Sequence, residues 1–319
     1  MRFALMIEPQ QGLSYGDQVA IAKRAEANGF ETLFRSDHYQ SFPGADDKPT
    51  TDAWAVLAGL ARETERIRLG ALVSPVTFRH AGNLAKVAAT VDAMSGGRIE
   101  VGVGAGWNDA EHRMYGLPFP EISERADMLE ENLEILHGLW EGPDGWSFEG
   151  RHYRVDGARF RAKPVGGLGP NGRPWIIIGG ESARSMRLAA RYADELNVSS
   201  LRADEIPEKL DRLDEACRAI GREPAAIARS AMVGVLVGRD RAEVDRRAGQ
   251  LVELLGVGDE GAEWLEKRRA RWIFGTPDEA RAAVERYARA GVARIMLQDF
   301  LPWDLEMVDL LGAELVGRV

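Results

Sequence analysis

Eight short apolar runs alternate along the chain with longer segments whose apolar residues recur every three or four positions. The runs lie at residues 3–7, 32–34, 67–73, 99–104, 175–178, 196–198, 232–237 and 294–297. Near-continuous apolar strands separated by helices are typical of a parallel sheet covered by helices. Eight such units predict an α/β fold, a closed (β/α)8 TIM barrel. Two doubly wound domains are the alternative.

No linker rich in Pro, Ser or like charges divides the 319 residues, so we expect residues 1–319 to form a single domain. Two segments exceed what a simple barrel needs. Residues 142–174 are rich in Gly and Pro and include a predicted β-hairpin at residues 148–155, and residues 256–274 include a charged helical stretch. We expect these insertions in the loops at the C-terminal face of the barrel, where lids commonly form.

Composition excludes several classes of protein. The chain has 41 Lys and Arg against 50 Asp and Glu, and a net charge of −9 disfavours nucleic acid and anionic lipid as partners. No apolar run approaches the roughly 20 residues of a membrane span, and the first run is too short for a signal peptide. The single cysteine, Cys217, permits no internal disulfide, so we expect a cytoplasmic protein. It lies on the apolar side of a predicted helix, where burial is expected.

Two motifs resemble known signatures but lack their context. Gly12-Leu13-Ser14-Tyr15-Gly16 matches the G-x-S-x-G pattern of hydrolase nucleophiles, yet the preceding strand ends too early for a nucleophile elbow. Ser14 with Asp17 also matches a capping box, so we predict a helix cap. Residues 102–107 begin like a dinucleotide fingerprint, but Trp107 stands where its third glycine belongs. These strand-end glycines indicate either close approach of another group or a tight turn.

A strand, two glycines and a helix start follow one another at residues 178–182. Free amides at a helix N-terminus bind anions, so Gly179, Gly180 and Ser182 predict a phosphate site, with Arg184 and Arg187 adding charge. An ordinary turn with Ser182 as N-cap is the alternative.

Asp37 and His38 follow the second predicted strand, where the catalytic residues of a barrel lie. A histidine transfers protons near neutral pH, and an aspartate orients partners. A polar loop pair without chemistry is the alternative. His137 and His152 are expected to be structural, whereas His80 and His112 follow strands near the predicted mouth. No histidine spacing typical of a metal site is present, so we predict no metal.

With these residues assembled, the chain resembles the luciferase-like monooxygenase superfamily, and in particular its branch of oxidoreductases that use the deazaflavin coenzyme F420. The resemblance spans nearly the whole chain in family order. The matching stretches are Ser36-Asp37-His38, residues 74–79, residues 95–107 continuing to Glu111 and to Tyr115-Gly116, Ile178-Gly179-Gly180, residues 187–194 and residues 275–279.

The resemblance implies a (β/α)8 barrel with the cofactor across its C-terminal mouth, two-electron transfer, and commonly a homodimer. His38 is implied as the catalytic proton donor or acceptor and Asp37 as a hydrogen-bonding partner of the cofactor. The other cofactor-binding residues implied are Leu72 and Val73, joined by a non-proline cis peptide, Ala105, Gly106 and Trp107 beside the ring, and Gly179, Gly180, Glu181 and Ser182 at the phosphate.

One position departs from the family pattern. The deazaflavin-dependent sugar-phosphate dehydrogenases have Glu where this chain has Trp107, which implies a less polar, small organic substrate. The function implied is hydride transfer between F420 and that substrate. The alternative is an FMN-dependent monooxygenase that uses reduced flavin and oxygen; Asp37-His38 favours the deazaflavin. Its oligoglutamate tail needs a basic groove, for which Arg184, Arg187 and Arg271 are candidates.

Overall fold

The computed structural model describes residues 1–42 and 44–318. Their strands are β1 (Arg2–Ile7), β2 (Thr32–Arg35), β3 (Arg68–Pro75), β4 (Ile99–Gly104), β5 (Trp146–Glu149), β6 (Arg154–Ala158), β7 (Trp175–Gly179), β8 (Glu195–Ser199), β9 (Ala228–Val237), β10 (Ile273–Gly275) and β11 (Arg294–Asp299). Their α-helices are α1 (Tyr15–Ala27), α2 (Ala53–Glu63), α3 (Ala81–Ser95), α4 (Asp109–Tyr115), α5 (Ile122–Glu141), α6 (Ala183–Tyr192), α7 (Ile206–Ala219), α8 (Arg241–Leu254), α9 (Gly261–Arg269), α10 (Pro277–Arg289) and α11 (Leu305–Glu314).

Eight parallel strands close into a barrel. Each pairs with the next in the order β1, β2, β3, β4, β7, β8, β9 and β11, and β11 returns to β1, with Phe3 opposite Ile295. The predicted (β/α)8 barrel is therefore confirmed. Strand β10 was not predicted; it adds three residues beside the C-terminal half of β9.

The buried apolar residues form two separate clusters. Between strands and helices lies a large apolar core, while Met6, Phe34, Leu72, Ile177 and Met296 form a smaller cluster among the residues that point inward. The N-terminal end is closed by Arg294, a fully buried arginine that donates to Glu100 at 2.7 Å and to Glu195 at 3.1 Å. A charged group in this position is stabilised because it is paired on both sides. The N-terminal floor of the barrel is thus filled by this ion-pair network.

The long connections do not all lie at one face. The connections that follow β2 and β4 extend from the C-terminal ends of the strands. The 256–274 insertion reaches this face as expected, since Trp272 stacks on Phe300 after β11 and Arg271 donates to the backbone oxygen of Ser200 after β8. The 142–174 insertion instead joins α5 to β7, so it begins at the opposite face from the one predicted. Its β5–β6 hairpin packs along α5, where the Glu131 carboxylate accepts backbone N–H groups of residues 151–153. The Tyr153 hydroxyl donates to the backbone oxygen of Val76, which follows β3. None of the helices described is long and apolar enough to cross a membrane.

Candidate active site

A cavity of about 610 Å³ opens at the C-terminal ends of the barrel strands. Its lining residues come from or directly follow all eight barrel strands. A wider depression of about 910 Å³ lies at the surface between α8 and the loop after β11, outside the ring of strands. We place the candidate site in the barrel cavity, because there the ends of parallel strands bring side chains from distant parts of the chain together.

His38 lines this cavity and is held by a carboxylate. Its Nδ1 lies 2.9 Å from Oε1 of Glu111, and the other carboxylate oxygen accepts the backbone N–H of Tyr39 at 2.9 Å. Glu111 is buried, at 1% exposure, so its orientation is fixed. Nε2 of His38 has no hydrogen-bond partner among the residues that the structure describes. A neutral imidazole that donates from Nδ1 therefore presents a lone pair at Nε2, which suits a proton acceptor.

Asp37 lies beneath His38 in a network of its own. The carboxylate accepts the Ser74 hydroxyl at 2.8 Å and a guanidinium N–H of Arg79 at 2.6 Å. Arg79 also bonds Asp52. Burial favours the neutral form of Asp52, but Arg79 and the hydrogen bonds from Ala55 and Tyr39 together outweigh it and hold the pKa of that carboxyl below its ordinary value. The two donors to Asp37 both bind its Oδ2, whereas its Oδ1 accepts one contact from Arg79 at 3.3 Å, so Oδ1 is the oxygen that retains capacity for a further donor.

The end of β3 faces the cavity through Leu72 and Val73, which are joined by a cis peptide, as the resemblance implies. The side chain of Val73 packs on glycines of the neighbouring strands. A Cβ placed on Gly104 would lie 2.8 Å from Val73 Cγ2, and a Cβ on Gly102 would lie 3.0 Å from Val73 Cγ1. The groups that approach these strand-end glycines therefore belong to β3 itself: the Val73 side chain at both glycines and also the backbone oxygen of Ala71 at Gly102.

Ala105, Gly106 and Trp107 follow β4 and also line the cavity. Gly106 has φ of +80°, a conformation that favours glycine, and a Cβ there would meet Thr77 and Pro75. Trp107 is 66% exposed at the mouth, and its ring meets the rings of His38 and Phe42 edge-on, with centroids 5.7 and 5.3 Å away. The wall beside His38 is therefore aromatic.

The turn from β7 into α6 brings only part of the predicted phosphate set to the cavity. Gly179 and Gly180 line it, and Gly180 has φ of +137°. Ser182 caps α6 by accepting the N–H of Ser185 at 3.0 Å, and Glu181 faces Lys209 at 4.0 Å, so both lie beside the cavity. The first amides of α6 remain at its N-terminus as donors, which suits an anion.

The three arginines considered for an anionic tail differ in their surroundings. Arg184 is bound by Asp127 and lies 3.5 Å from Glu130. Arg271 donates to the backbone oxygen of Ser200 and lies 3.7 Å from the Glu205 carboxylate. Arg187 is exposed and has no partner among the described residues. Of the three, Arg187 alone keeps its charge free for a ligand.

The remaining sequence signals are structural. Ser14 and Asp17 form the predicted capping box, in which the Ser14 hydroxyl donates to the Asp17 carboxylate. His80 caps α3, and His112 is buried between Thr77 and a backbone oxygen. His137 and His152 pair with glutamates on α5, and Cys217 is fully buried, as expected. No cluster of possible metal ligands occurs among residues 1–42 and 44–318.

Several residues of the cavity were missed by sequence reasoning. Glu8 follows β1, Gln298 belongs to β11, and both face the cavity with Gln10. Glu111 and Arg79 belong to the stretches that carry the family resemblance, but nothing in the sequence indicated that they form hydrogen bonds to His38 and Asp37. Glu8 had a usable signal, since a carboxylate directly after a barrel strand falls at the face where the site lies.

A family model described as "Luciferase-like monooxygenase" matches residues 1–294. The chain belongs to this family. The F420-dependent glucose-6-phosphate dehydrogenase of Nakamurella multipartita is 29% identical over 297 residues, covering 86% of this chain and 84% of that protein. The FMNH(2)-dependent dimethylsulfone monooxygenase of Pseudomonas putida is 30% identical over 244 residues, covering 75% of this chain and 62% of that protein.

A solved structure shares the fold of this chain. An F420-dependent secondary alcohol dehydrogenase, solved with an F420–acetone adduct, superposes with a TM-score of 0.82 at 21% identity, covering 98% of this chain and 97% of that one. Together with the family match, the relatives establish that this luciferase-like protein is an oxidoreductase. They include both F420-dependent and FMN-dependent enzymes.

The residues of the cavity fit a flavin or a deazaflavin. A volume of about 610 Å³ is within the usual range for a cofactor site. The donors at the start of α6 suit a phosphate, and the apolar β3 end with Leu72, Val73 and Pro75 suits one face of a planar ring. Both kinds of cofactor share these needs, so the donor set alone does not separate them.

Proposed function

We propose that this luciferase-like protein is an F420-dependent oxidoreductase that transfers a hydride between the deazaflavin and a small organic substrate with an apolar body. The observation that carries the proposal is the His38–Glu111 pair, which holds an imidazole nitrogen toward the cavity beside Asp37. The F420-dependent relatives support the cofactor. The deazaflavin supplies two-electron hydride chemistry when bound.

The chain's own residues position the reactants and handle the proton. Leu72, Val73, Ala105, Gly106 and Trp107 surround the proposed ring position. Gly179 and Gly180, with Glu181 and Ser182 beside them, form the proposed phosphate site, and Asp37 offers a carboxylate oxygen to a ring donor. Nε2 of His38 takes up or releases the proton that accompanies the hydride, while Glu111 keeps the ring oriented through Nδ1.

A sugar phosphate fits this cavity poorly. Among the described residues that line it there is no lysine or arginine to bind a substrate phosphate, and Trp107 and Phe42 form its wall beside His38. We therefore propose a different substrate from that of the glucose-6-phosphate dehydrogenases.

An FMN-dependent monooxygenase is the second candidate, supported by the identity with the dimethylsulfone monooxygenase. Titration of the purified protein with FMN and with F420 under identical conditions separates the two. We expect F420 to bind more tightly; submicromolar FMN binding without a response to F420 would overturn our ranking.

We also propose a homodimer. Ala55 of α2 and Ala93 of α3 lie on exposed helix faces, and light scattering after gel filtration tests the oligomeric state.

His38→Ala tests the proposed proton transfer. We expect cofactor affinity within about threefold of the native protein and turnover lower by at least a hundredfold, since a positioned acid or base contributes about 10²–10⁴. Native turnover in this variant would remove His38 from the chemistry.

A further inference from the structure

Glu8 is a buried carboxylate of the cavity that forms no direct ion pair with a described residue. It is 6% exposed and directly follows β1. One oxygen accepts the side-chain amide of Gln298 at 2.5 Å and the other accepts that of Gln10 at 2.8 Å. No nitrogen of Lys, Arg or His lies within 4.0 Å of it among the residues that the structure describes.

The other two carboxylates of the cavity are paired. Asp37 is bound by Arg79, and Glu111 by His38. A buried charge is costly unless a counter-charge or a full set of hydrogen bonds compensates it. The two amides satisfy part of the need of Glu8, and further lone pairs on its oxygens remain. The buried guanidinium of Arg35 interacts electrostatically with Glu8, but its hydrogen bonds go to other groups, so the place of a directly paired cation beside Glu8 is open to a ligand.

The surroundings of Glu8 suit an organic cation. Phe42, Trp107 and Phe300 line the same cavity, and aromatic faces attract cations while accommodating an apolar body. The side-chain oxygen of Gln298 has no described donor, so it is a second acceptor next to the carboxylate. Anions find no cationic side chain among the described lining residues.

We propose that the substrate site of this enzyme selects small amines, and that the protonated nitrogen of the substrate donates to Glu8 while its apolar body lies against the aromatic wall. Gln10 and Gln298 position the carboxylate through their amide donors. This inference deepens the proposed function, because it assigns a substrate class to the same cavity. It concerns binding alone and does not depend on which cofactor carries the electrons.

Three matched probes test it by calorimetric titration of the native protein, loaded in parallel with F420 and with FMN. Benzylamine, benzyl alcohol and benzoate share a phenyl body and differ in the charge of the head group. We expect benzylamine to bind at least tenfold more tightly than benzyl alcohol, and benzoate more weakly than either, because hydrogen bonds between charged groups are the stronger ones. Equal binding of the three probes would overturn the proposal, and so would a preference for benzoate.

Glu8→Gln then assigns the preference to its residue. We expect this variant to lose at least tenfold in benzylamine affinity and to bind benzyl alcohol as the native protein does. Glu65→Gln removes the same charge from a side chain that is 85% exposed and is expected to leave all three affinities unchanged. A Glu8→Gln protein that keeps its preference for the amine would contradict the assignment; if the variant does not fold, the comparison of probes on the native protein decides.

The binding readout separates this inference from the proposed function. Amine preference in a protein that binds FMN and not F420 would leave the inference standing and overturn the deazaflavin assignment. Tight F420 binding without amine preference would support the deazaflavin assignment and overturn this inference.

Discussion

Asp299, at the end of β11, should make the stability of the protein fall as the pH rises toward 8. The side chain is fully buried; Oδ1 accepts the N–H of Leu301 at 2.7 Å and Oδ2 has no hydrogen-bond partner among the described residues. Burial raises the pKa of this carboxyl from 3.8 to about 7, and the neighbouring charge of Asp304 adds to the effect. Arg247 compensates little, since it is bonded to Asp304 itself.

The direction follows from proton binding. Between pH 4 and pH 7 the folded protein holds a proton on Asp299 that the unfolded chain has released. The free energy of unfolding therefore decreases with rising pH, by about 1.4 kcal/mol per pH unit. From pH 5 to pH 8 the decrease amounts to about 3 kcal/mol for this group, because the slope ends near the folded-state pKa of about 7.

Asp299→Asn removes this titration and nothing else that depends on pH at the site. Urea unfolding followed by tryptophan fluorescence at pH 5 and at pH 8 gives the free energy of unfolding of both proteins. We expect the variant to gain about 3 kcal/mol relative to the native protein between the two pH values, whatever constant offset the amide introduces. Asp156→Asn, at an exposed position, serves as the control. Native and variant curves that stay parallel would refute the reasoning.

Two further predictions concern the cavity and its frame. Glu111→Gln should lower turnover about tenfold to a hundredfold and leave the cofactor Kd within threefold, because His38 loses its counter-charge; steady-state kinetics with fluorescence titration measure both, and unchanged turnover contradicts the role. Gly180→Ala should destabilise the protein by about 1–3 kcal/mol, since φ is +137° and the new Cβ would meet Ser185. The control, Gly249→Ala, lies in open space on α8 and should stabilise the protein by about 1 kcal/mol. Thermal unfolding measures both variants, and a Gly180→Ala protein as stable as the native one would argue against the backbone constraint.

The barrel could be predicted because each of its strands is a short apolar run followed by a helical pattern. The apolar run at 99–104, for example, coincides with the observed β4, Ile99–Gly104. Strand β10 was missed because it has only three residues, fewer than a periodicity requires. The hairpin was recognised from its turn, but its place along α5 depends on Glu131, a contact about 20 residues away that no local pattern contains.

The sequence predicted which strand ends form the site, but not which side chains orient the residues there. His38, Asp37, Gly106 and Gly180 line the cavity because they follow barrel strands. Their supports come from far along the chain: Glu111 is 73 residues from His38, and Arg79 is 42 residues from Asp37. Such pairs depend on the closure of the barrel, and a single sequence contains no signal that selects one carboxylate or arginine among many.

The packing of Val73 on Gly102, Gly104 and Gly179 ties three strands to the size of one side chain. A Cβ on any of these glycines would contact Val73, at 3.0, 2.8 and 3.5 Å. Gly104 depends on residue 73 most directly, because among the described residues its Cβ would meet the Val73 side chain. A Cβ on Gly102 would also lie 2.4 Å from the backbone oxygen of Ala71, and one on Gly179 would make an ordinary contact. The glycines of β4 and β7 thus make room for the side chain at the end of β3. A protein engineer can use their presence to judge whether a barrel accepts a changed side chain at that position.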